Sequence, residues 1–374
     1  MADVEKSQTD KPEFEGEWVR LGDVCEIVNG ATPRTGVPEY WGGDIKWVTP
    51  AELRSEIHTV FDTAKHLTKA GFESASLRMM PAGTILLTTR APIGKLALAG
   101  DEMCCNQGFK CLICPETVNN EWLCRLLKHR VPELQAMGAG ATFKELSKRA
   151  ISDYRICVPP METQIDIVKK LTKLDEVLAN CRTLLSALDD LVKSQFVEMF
   201  GDPIANSNAL PTKKLIDVVT MQRGYDLPVT QRVGDGGVPV YGSNGIVGFH
   251  DVSRRTEPCV VTGRSGTIGD VRFVQRPCWP LNTTLFSSDT HGNNVIYLAY
   301  LLKFFKLERF TAGSGVPTLN RNLFHKELII DAPLALQQQF ADFVAEVDKL
   351  RFDVQQQIEK LEALKQSLMQ DYFG

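Results

Sequence analysis

Apolar residues recur at alternating spacings of three and four between about Thr163 and Phe200: Leu171, Leu174, Leu178, Cys181, Leu185, Leu188 and Val192. No proline or glycine interrupts them, so the pattern predicts one long helix carrying a heptad seam. A second stripe runs from Phe340 to Leu368 through Phe343, Val347, Leu350, Val354, Leu361 and Leu364, broken at Gln357. Gly201 and Pro203 follow Phe200 and stop the first helix. The first helix leads out of one globular stretch and the second must lead back, so the two are expected to pair antiparallel. At about 1.5 Å per residue the first makes a rod of roughly 55 Å.

Outside the helices the chain repeats itself. Trp18 to Gly30 opens the first half, and Lys214 to Gly224 opens the second with the same apolar spacing before a glycine. Thr88 to Leu98 is matched by Val261 to Val271, and the Asn106-Gln-Gly-Phe stretch by Asn282-Thr-Thr-Leu-Phe. Helical candidates follow at Glu121–Leu134 and Val295–Phe310, then glycine-rich turns at Gly138–Phe143 and Gly313–Leu319, then a short strand into proline. Strand-like runs bounded by glycine and proline, such as Thr84–Thr89 and Pro258–Thr262, give each half a mixed sheet. The fold class expected is α+β: two globular domains in a pseudo-twofold repeat, separated by two long antiparallel coiled-coil helices. The expected divisions are an acidic tail at 1–17, domains at 18–160 and 201–335, and spacer helices at 161–200 and 336–374. From the opening leucine to the marker arginine there are 69 residues in one half (Leu21 to Arg90) and 49 in the other (Leu215 to Arg264). A kept frame with a varied front is what recognition requires.

Composition narrows the classes. With 374 residues, 43% apolar and 24% charged, the chain can bury more than one core. No apolar run reaches membrane-spanning length, and residues 1–17 lack a signal core, so a cytoplasmic location and reduced cysteines are expected. Cys111 and Cys114 have zinc-ligand spacing, but no second pair completes a site, and buried thiols are the expectation. The tail and both long helices are net acidic, leaving the globular stretches mildly basic. That is little charge for a domain that holds DNA unaided, so a partner should supply much of the phosphate contact. Catalytic signatures are missing: there is no phosphate loop, nucleophile elbow, zinc-protease helix or amino-methyltransferase loop. Gly263 to Gly269 has the wrong spacing for a dinucleotide loop, and the repeat explains it as scaffold.

Recognition chemistry is better represented. Arg34, Thr35, Lys46, Trp47 and Thr49 bring cations and hydroxyls beside an aromatic in turn-rich stretches of the first half, with Arg90 and Lys95 further along. Arg223, Tyr241, Ser243, Asn244, Arg264 and Ser265 do likewise in the second. Arginine suits a bidentate contact to guanine, asparagine suits adenine, and glycine-rich backbone approaches phosphates closely. Turn formation alone accounts for any one of these residues; as a set they point to DNA.

Gly30-Ala-Thr-Pro-Arg34, Glu39 to Pro50 (EYWGGDIKWVTP), Pro239 to Gly248 (PVYGSNGIVG), the Phe200-Gly-Asp-Pro203 stop and the twofold repeat together resemble the specificity subunit of type I restriction-modification systems. The resemblance covers the chain after the tail. It implies two target recognition domains, each reading one half of a bipartite, asymmetric double-stranded DNA site, with the helices setting the gap between halves and docking two methyltransferase subunits. Restriction subunits would complete a complex that defends against foreign DNA. The chain itself would be non-catalytic and hold no cofactor, S-adenosylmethionine, ATP and Mg2+ belonging to its partners. Two other readings stay open: a self-contained methyltransferase-specificity enzyme, and a coiled-coil adaptor that does not read DNA.

Overall fold

The computed structural model describes residues 15–90, 92–139, 145–234, 236–312 and 317–374. Most of the acidic tail and parts of both glycine-rich turns lie outside the described residues. Met1–Asn180 with Ile358–Gly374 make one compact unit, and Cys181–Gln357 make the other.

In the first unit a five-stranded sheet runs in the order Glu26–Asn29, Phe109–Ile113, Ile85–Thr88, Leu96–Ala99, Thr59–Val60. Its central strand is buried throughout, because both faces are covered. Ile85 and Leu87 face the helix Asn120–His129 through Trp122 and Leu123, while Leu86 faces Val28, Phe109 and Cys111. This is the two-residue side-chain period of a strand put to use. A smaller sheet places Trp41–Val48 between His66–Leu67 and Cys104–Cys105. Cys111 faces Cys105, while Cys114, just past the end of this strand, faces Cys25, so the two thiols point to opposite faces. All ten cysteines are free.

The second unit rebuilds the frame. Thr220–Arg223, Thr284–Asp289, Cys259–Gly263 and Val271–Val274 form an antiparallel sheet in the corresponding order. Val238–Gly242 pairs in parallel with Trp279–Pro280, as Trp41–Val48 does with Cys104–Cys105. The fronts differ. Unit one spends its extra length on Thr59–Val60, His66–Leu67 and the helix Lys69–Ser74, whereas unit two folds a direct hairpin from Val238–Gly242 to Gly245–His250.

The two helical candidates end earlier than their apolar pattern suggests. The first stops at His129 and restarts as Val131–Ala136 around Pro132, and the second stops at Phe304, with Lys306 in the left-handed region before a short 3-10 turn. Both start on an asparagine cap, Asn119 and Asn294. Each cap is locked by one fully buried glutamine from the first turns of a long helix. Gln164 accepts from the Asn119 N–H (2.7 Å) and donates to the carbonyls of Pro159 (2.8 Å) and Thr117 (3.2 Å). Gln337 accepts from the Asn294 N–H (2.9 Å) and donates to the Ala332 carbonyl and Asn293 Oδ1, both at 2.8 Å.

The long helices span Met161–Phe200 and Leu334–Phe373. Gly201, at φ +76°, ends the first. Within each unit they pair antiparallel. In the first, Asp175 bonds Lys365 at 2.6 Å and Arg125 at 2.8 Å, and Ile167 and Leu171 share a core with Phe373 and Leu368. Burial alone would raise the Asp175 carboxyl, but the two cations outweigh it and hold it below its ordinary range. In the second unit Asp189 bonds Arg351 at 2.5 Å, and Leu188, Val192, Phe196 and Phe200 pack in one core with Phe340, Val344 and Val347.

The seam of the first helix lies where its periodicity places it: Leu171, Leu178, Leu188 and Val192 are buried, and Leu174, Cys181 and Leu185 half-buried. The second helix requires a correction. Leu350 and Leu364 are 54% and 49% exposed, and Phe343 is only half-buried. The inward row is Phe340, Val344, Val347, Arg351, Val354, Ile358, Leu361, Lys365 and Leu368. Phe340, Val347, Val354, Leu361 and Leu368 belong to both rows, and Ile358 fills the place given to Gln357. Two seam positions hold cations whose aliphatic stems pack while their charges meet aspartates, so a search for apolar residues steps one position aside.

Candidate nucleic-acid interface

In the second unit, four residues singled out in the sequence, Arg223, Tyr241, Arg264 and Ser265, converge on the stretch Leu281–Thr283. Ser243 and Asn244 form the two-residue loop between the paired Gly242 and Gly245, the latter at φ +109°. The Leu281 N–H donates to the Tyr241 carbonyl (2.9 Å), and the Arg264 and Ser265 N–H groups both donate to the Thr283 carbonyl (2.8 and 3.2 Å). Arg223 Nε reaches the Asn282 carbonyl at 3.4 Å. A side chain at Gly263 or Gly266 would meet Ser243, so the hairpin tip rests directly on that turn. Arg272 donates to the Asn244 carbonyl (3.5 Å) and pairs with Asp270. Burial raises the Tyr241 hydroxyl above its ordinary range, with the nearby charges of Arg276 and Arg272 pulling the other way.

The first unit uses the same backbone frame around Cys105–Gly108. The Asn106 N–H donates to the Val48 carbonyl (3.0 Å), Ala31 N–H to Cys105 (3.0 Å) and Thr89 N–H to Gly108 (2.8 Å). Their counterparts are Leu281 to Tyr241, Tyr225 to Pro280 and Arg264 to Thr283. The glycines that end each opening motif are forced by space: a Cβ on Gly30 would overlap the Asn106 carbonyl oxygen, and one on Gly224 that of Leu281. Replacing Gly30 by alanine should cost about 1–3 kcal/mol and speed hydrogen exchange at Ala31 and Asn106. Unchanged exchange at those amides would mean that the strand tolerates the side chain.

Residues 15–188 match the family described as the type I restriction modification DNA specificity domain. In that stretch the chain is similar to the type I restriction-modification specificity family. It is 30% identical over 246 residues to the type I restriction enzyme MjaIX specificity subunit of Methanocaldococcus jannaschii, a match taking in 60% of this chain and 57% of that protein. The chain thus spans little more than half the length of that relative. It is 22% identical over 326 residues to the EcoprrI specificity subunit of Escherichia coli, covering 82% and 80%. A type I restriction-modification S subunit from M. genitalium shares the fold, with a TM-score of 0.61 at 15% identity over 98% of this chain and 99% of that one.

Not every candidate residue is free to meet a ligand. Arg34, Thr35 and Asn244 are exposed. Arg264 is half-buried, and no hydrogen bond of its side chain occurs among the described residues. Arg223 sits 3.7 Å from Asp226 and Arg90 3.1 Å from Glu145, while Lys95 donates to the Leu53 carbonyl at 2.8 Å. Lys46 is committed to Asp101 (2.6 Å) and the Phe61 carbonyl (2.8 Å), and its hydrogen bond is the main cause of the lowered Asp101 carboxyl. Thr49 closes a capping box with Glu52.

Trp47 corrects the expectation of an aromatic beside the cations. It is 3% exposed, donates its indole N–H to the Ala31 carbonyl (3.0 Å) and packs edge-on against Trp41. Strand alternation explains this: Lys46 and Trp47 point to opposite faces, and Trp47 takes the side of Leu67 and Cys104. Passed over in the sequence were Thr32 and Gln107, whose side chains bond each other beside the first frame, and Arg254, Arg272 and Arg276 of the second. The signal for the latter was seven arginines between Arg223 and Arg276.

Proposed function

We propose that this chain is the DNA-reading subunit of a type I restriction-modification complex. One observation carries the reading: the same backbone frame is built twice, and each copy presents different side chains around it. Arg34, Thr35, Thr32 and Gln107 flank one copy, and Asn244, Arg264, Arg223 and Arg272 the other. Like frames with unlike faces suit an asymmetric target in two parts, each read by one unit, with residues 18–160 and 201–335 as the target recognition domains.

The long helices serve as spacer and docking surface in this reading. Apolar residues remain exposed on them: Leu184 and Leu191, one heptad apart, on the first, Leu350 and Phe352 on the second, all in the second unit, and Ile165 and Leu364 in the first. Rows of this kind suit helices of two methyltransferase subunits. S-adenosylmethionine, ATP and Mg2+ act on the methyltransferase and restriction subunits, and this chain contributes sequence choice rather than chemistry. DNA and such partners place the work in the cytoplasm, and among the described residues no helix is long and apolar enough to cross a membrane.

The test is to assemble the chain with its methyltransferase partner and map modified adenines over a genome and over random duplexes. One split motif is the expected result. Methylation by the chain alone would make it an enzyme, and a complex with no motif would make it an adaptor. Removing one heptad from both long helices and re-selecting the target should shorten the unread gap. Seven residues are about 10 Å of helix, roughly three base pairs of B-DNA. A gap that stays the same length would show that the helices do not set it.

A further inference from the structure

Arg254 and Arg255 are neighbours with opposite fates. Their N–H groups both donate to the Cys278 carbonyl at 3.0 Å, and Cys278 N–H returns to Arg255 at 2.8 Å, so the backbone of the pair is fixed. The Arg255 guanidinium turns inward, to the Ser288 carbonyl (3.3 Å) and Glu257 (3.1 Å). Arg254 is exposed, and among the described residues it has no carboxylate within ion-pair distance. It is nevertheless held in place, with its guanidinium 4.9 Å from the Trp279 ring centre and 5.4 Å from that of Tyr225. His250 stacks on Trp279, 5.0 Å between centres and 13° between planes.

Two aromatic faces restrict the rotamers of a long side chain and leave its hydrogen-bonding edge outward. An arginine fixed in this way is suited to one rigid, planar acceptor pair. Two such acceptors occur on DNA: a phosphate and the O6/N7 edge of guanine. The surrounding loop favours the base. Asp251 and the 55%-exposed Val252 stand three and two residues before Arg254. A carboxylate repels phosphate but accepts from cytosine N4, and an apolar side chain suits base edges rather than the charged backbone. His250 Nδ1 accepts from the N–H groups of Asp251 (2.7 Å) and Val252 (3.0 Å), which fixes the loop and leaves Nε2 as the donor of the neutral ring.

We infer that Arg254 reads a guanine in the half-site recognised by the second unit. The inference rests on the DNA-reading function proposed above and names a determinant within it. Guanine is selected by the guanidinium edge, and Trp279 and Tyr225 act as positioning residues for it.

The experiment compares the methylation motifs of the wild-type complex and of complexes carrying Arg254→Gln and Arg254→Lys, with thermal melting as a check on folding. Both variants should lose preference for guanine at one position of one half-site, with methylation of the cognate site falling roughly ten- to a hundredfold. The other half-site should be unchanged. Lysine should not rescue, because it cannot make the bidentate contact. An unaltered motif with uniformly weaker methylation, restored by lysine, would make Arg254 a phosphate contact and overturn the inference. So would variants that methylate as the wild type does. A wild-type complex without a split motif overturns the underlying function, and this inference with it, before any variant is compared.

Discussion

Replacing Phe196 by alanine should destabilise the second unit by about 3–5 kcal/mol and abolish the DNA reading proposed for that unit. Phe196 is fully buried at the centre of an aromatic cluster. Its ring lies 4.9 Å from those of Phe200 and Phe304, 5.4 Å from Phe340 and 6.1 Å from Tyr297. These partners come from both long helices and from the helix Val295–Phe304, so no single backbone shift can close the space. Hydrogen exchange resolves the result by segment: protection should fall along 188–200 and 295–304. A melting temperature within a few degrees of the wild type would mean that the cluster collapses onto the void.

Gln337→Leu should be nearly as costly. It keeps the volume of the side chain and removes the partner of the Asn294 N–H, the Ala332 carbonyl and Asn293 Oδ1, at about 1–3 kcal/mol for each group that water does not reach, the buried Ala332 carbonyl first among them. Gln164→Leu should do the same in the first unit, at the Asn119 N–H and the Pro159 and Thr117 carbonyls. The two variants should act on different halves of the target, which methylation mapping separates. Equal weakening of both half-sites by either one would show that the units do not read independently.

Much of the fold is legible in residue pattern. The doubled motifs report a doubled frame because that frame depends on a glycine under a carbonyl and on the polar turn that supplies that carbonyl, whatever length of chain lies between them. The long helices are legible because heptad spacing without a breaker has few other solutions. What escaped is polar and buried. Gln164 and Gln337 look like surface glutamines until the caps they lock are known, and Arg351 and Lys365 read as solvent-facing although they occupy the seam. Among the candidate contacts, alternation along Trp41–Val48 decides that Trp47 is interior, a fact that composition cannot carry. Arg254 was missed because nothing in its local sequence says that Tyr225, 29 residues earlier, and Trp279, 25 residues later, supply its two ring faces.

The ionic contact between Asp189 and Arg351 also has a consequence for mispairing. Sliding the second helix by one heptad against the first would carry Arg351 toward Arg182 in one direction and toward Phe196 in the other. Like charges would meet in the first case, and a cation would be driven among phenyl rings in the second. An all-leucine stripe would tolerate either slip with little penalty. A single arginine thus works as a detent, making one alignment of the strands much cheaper than its neighbours.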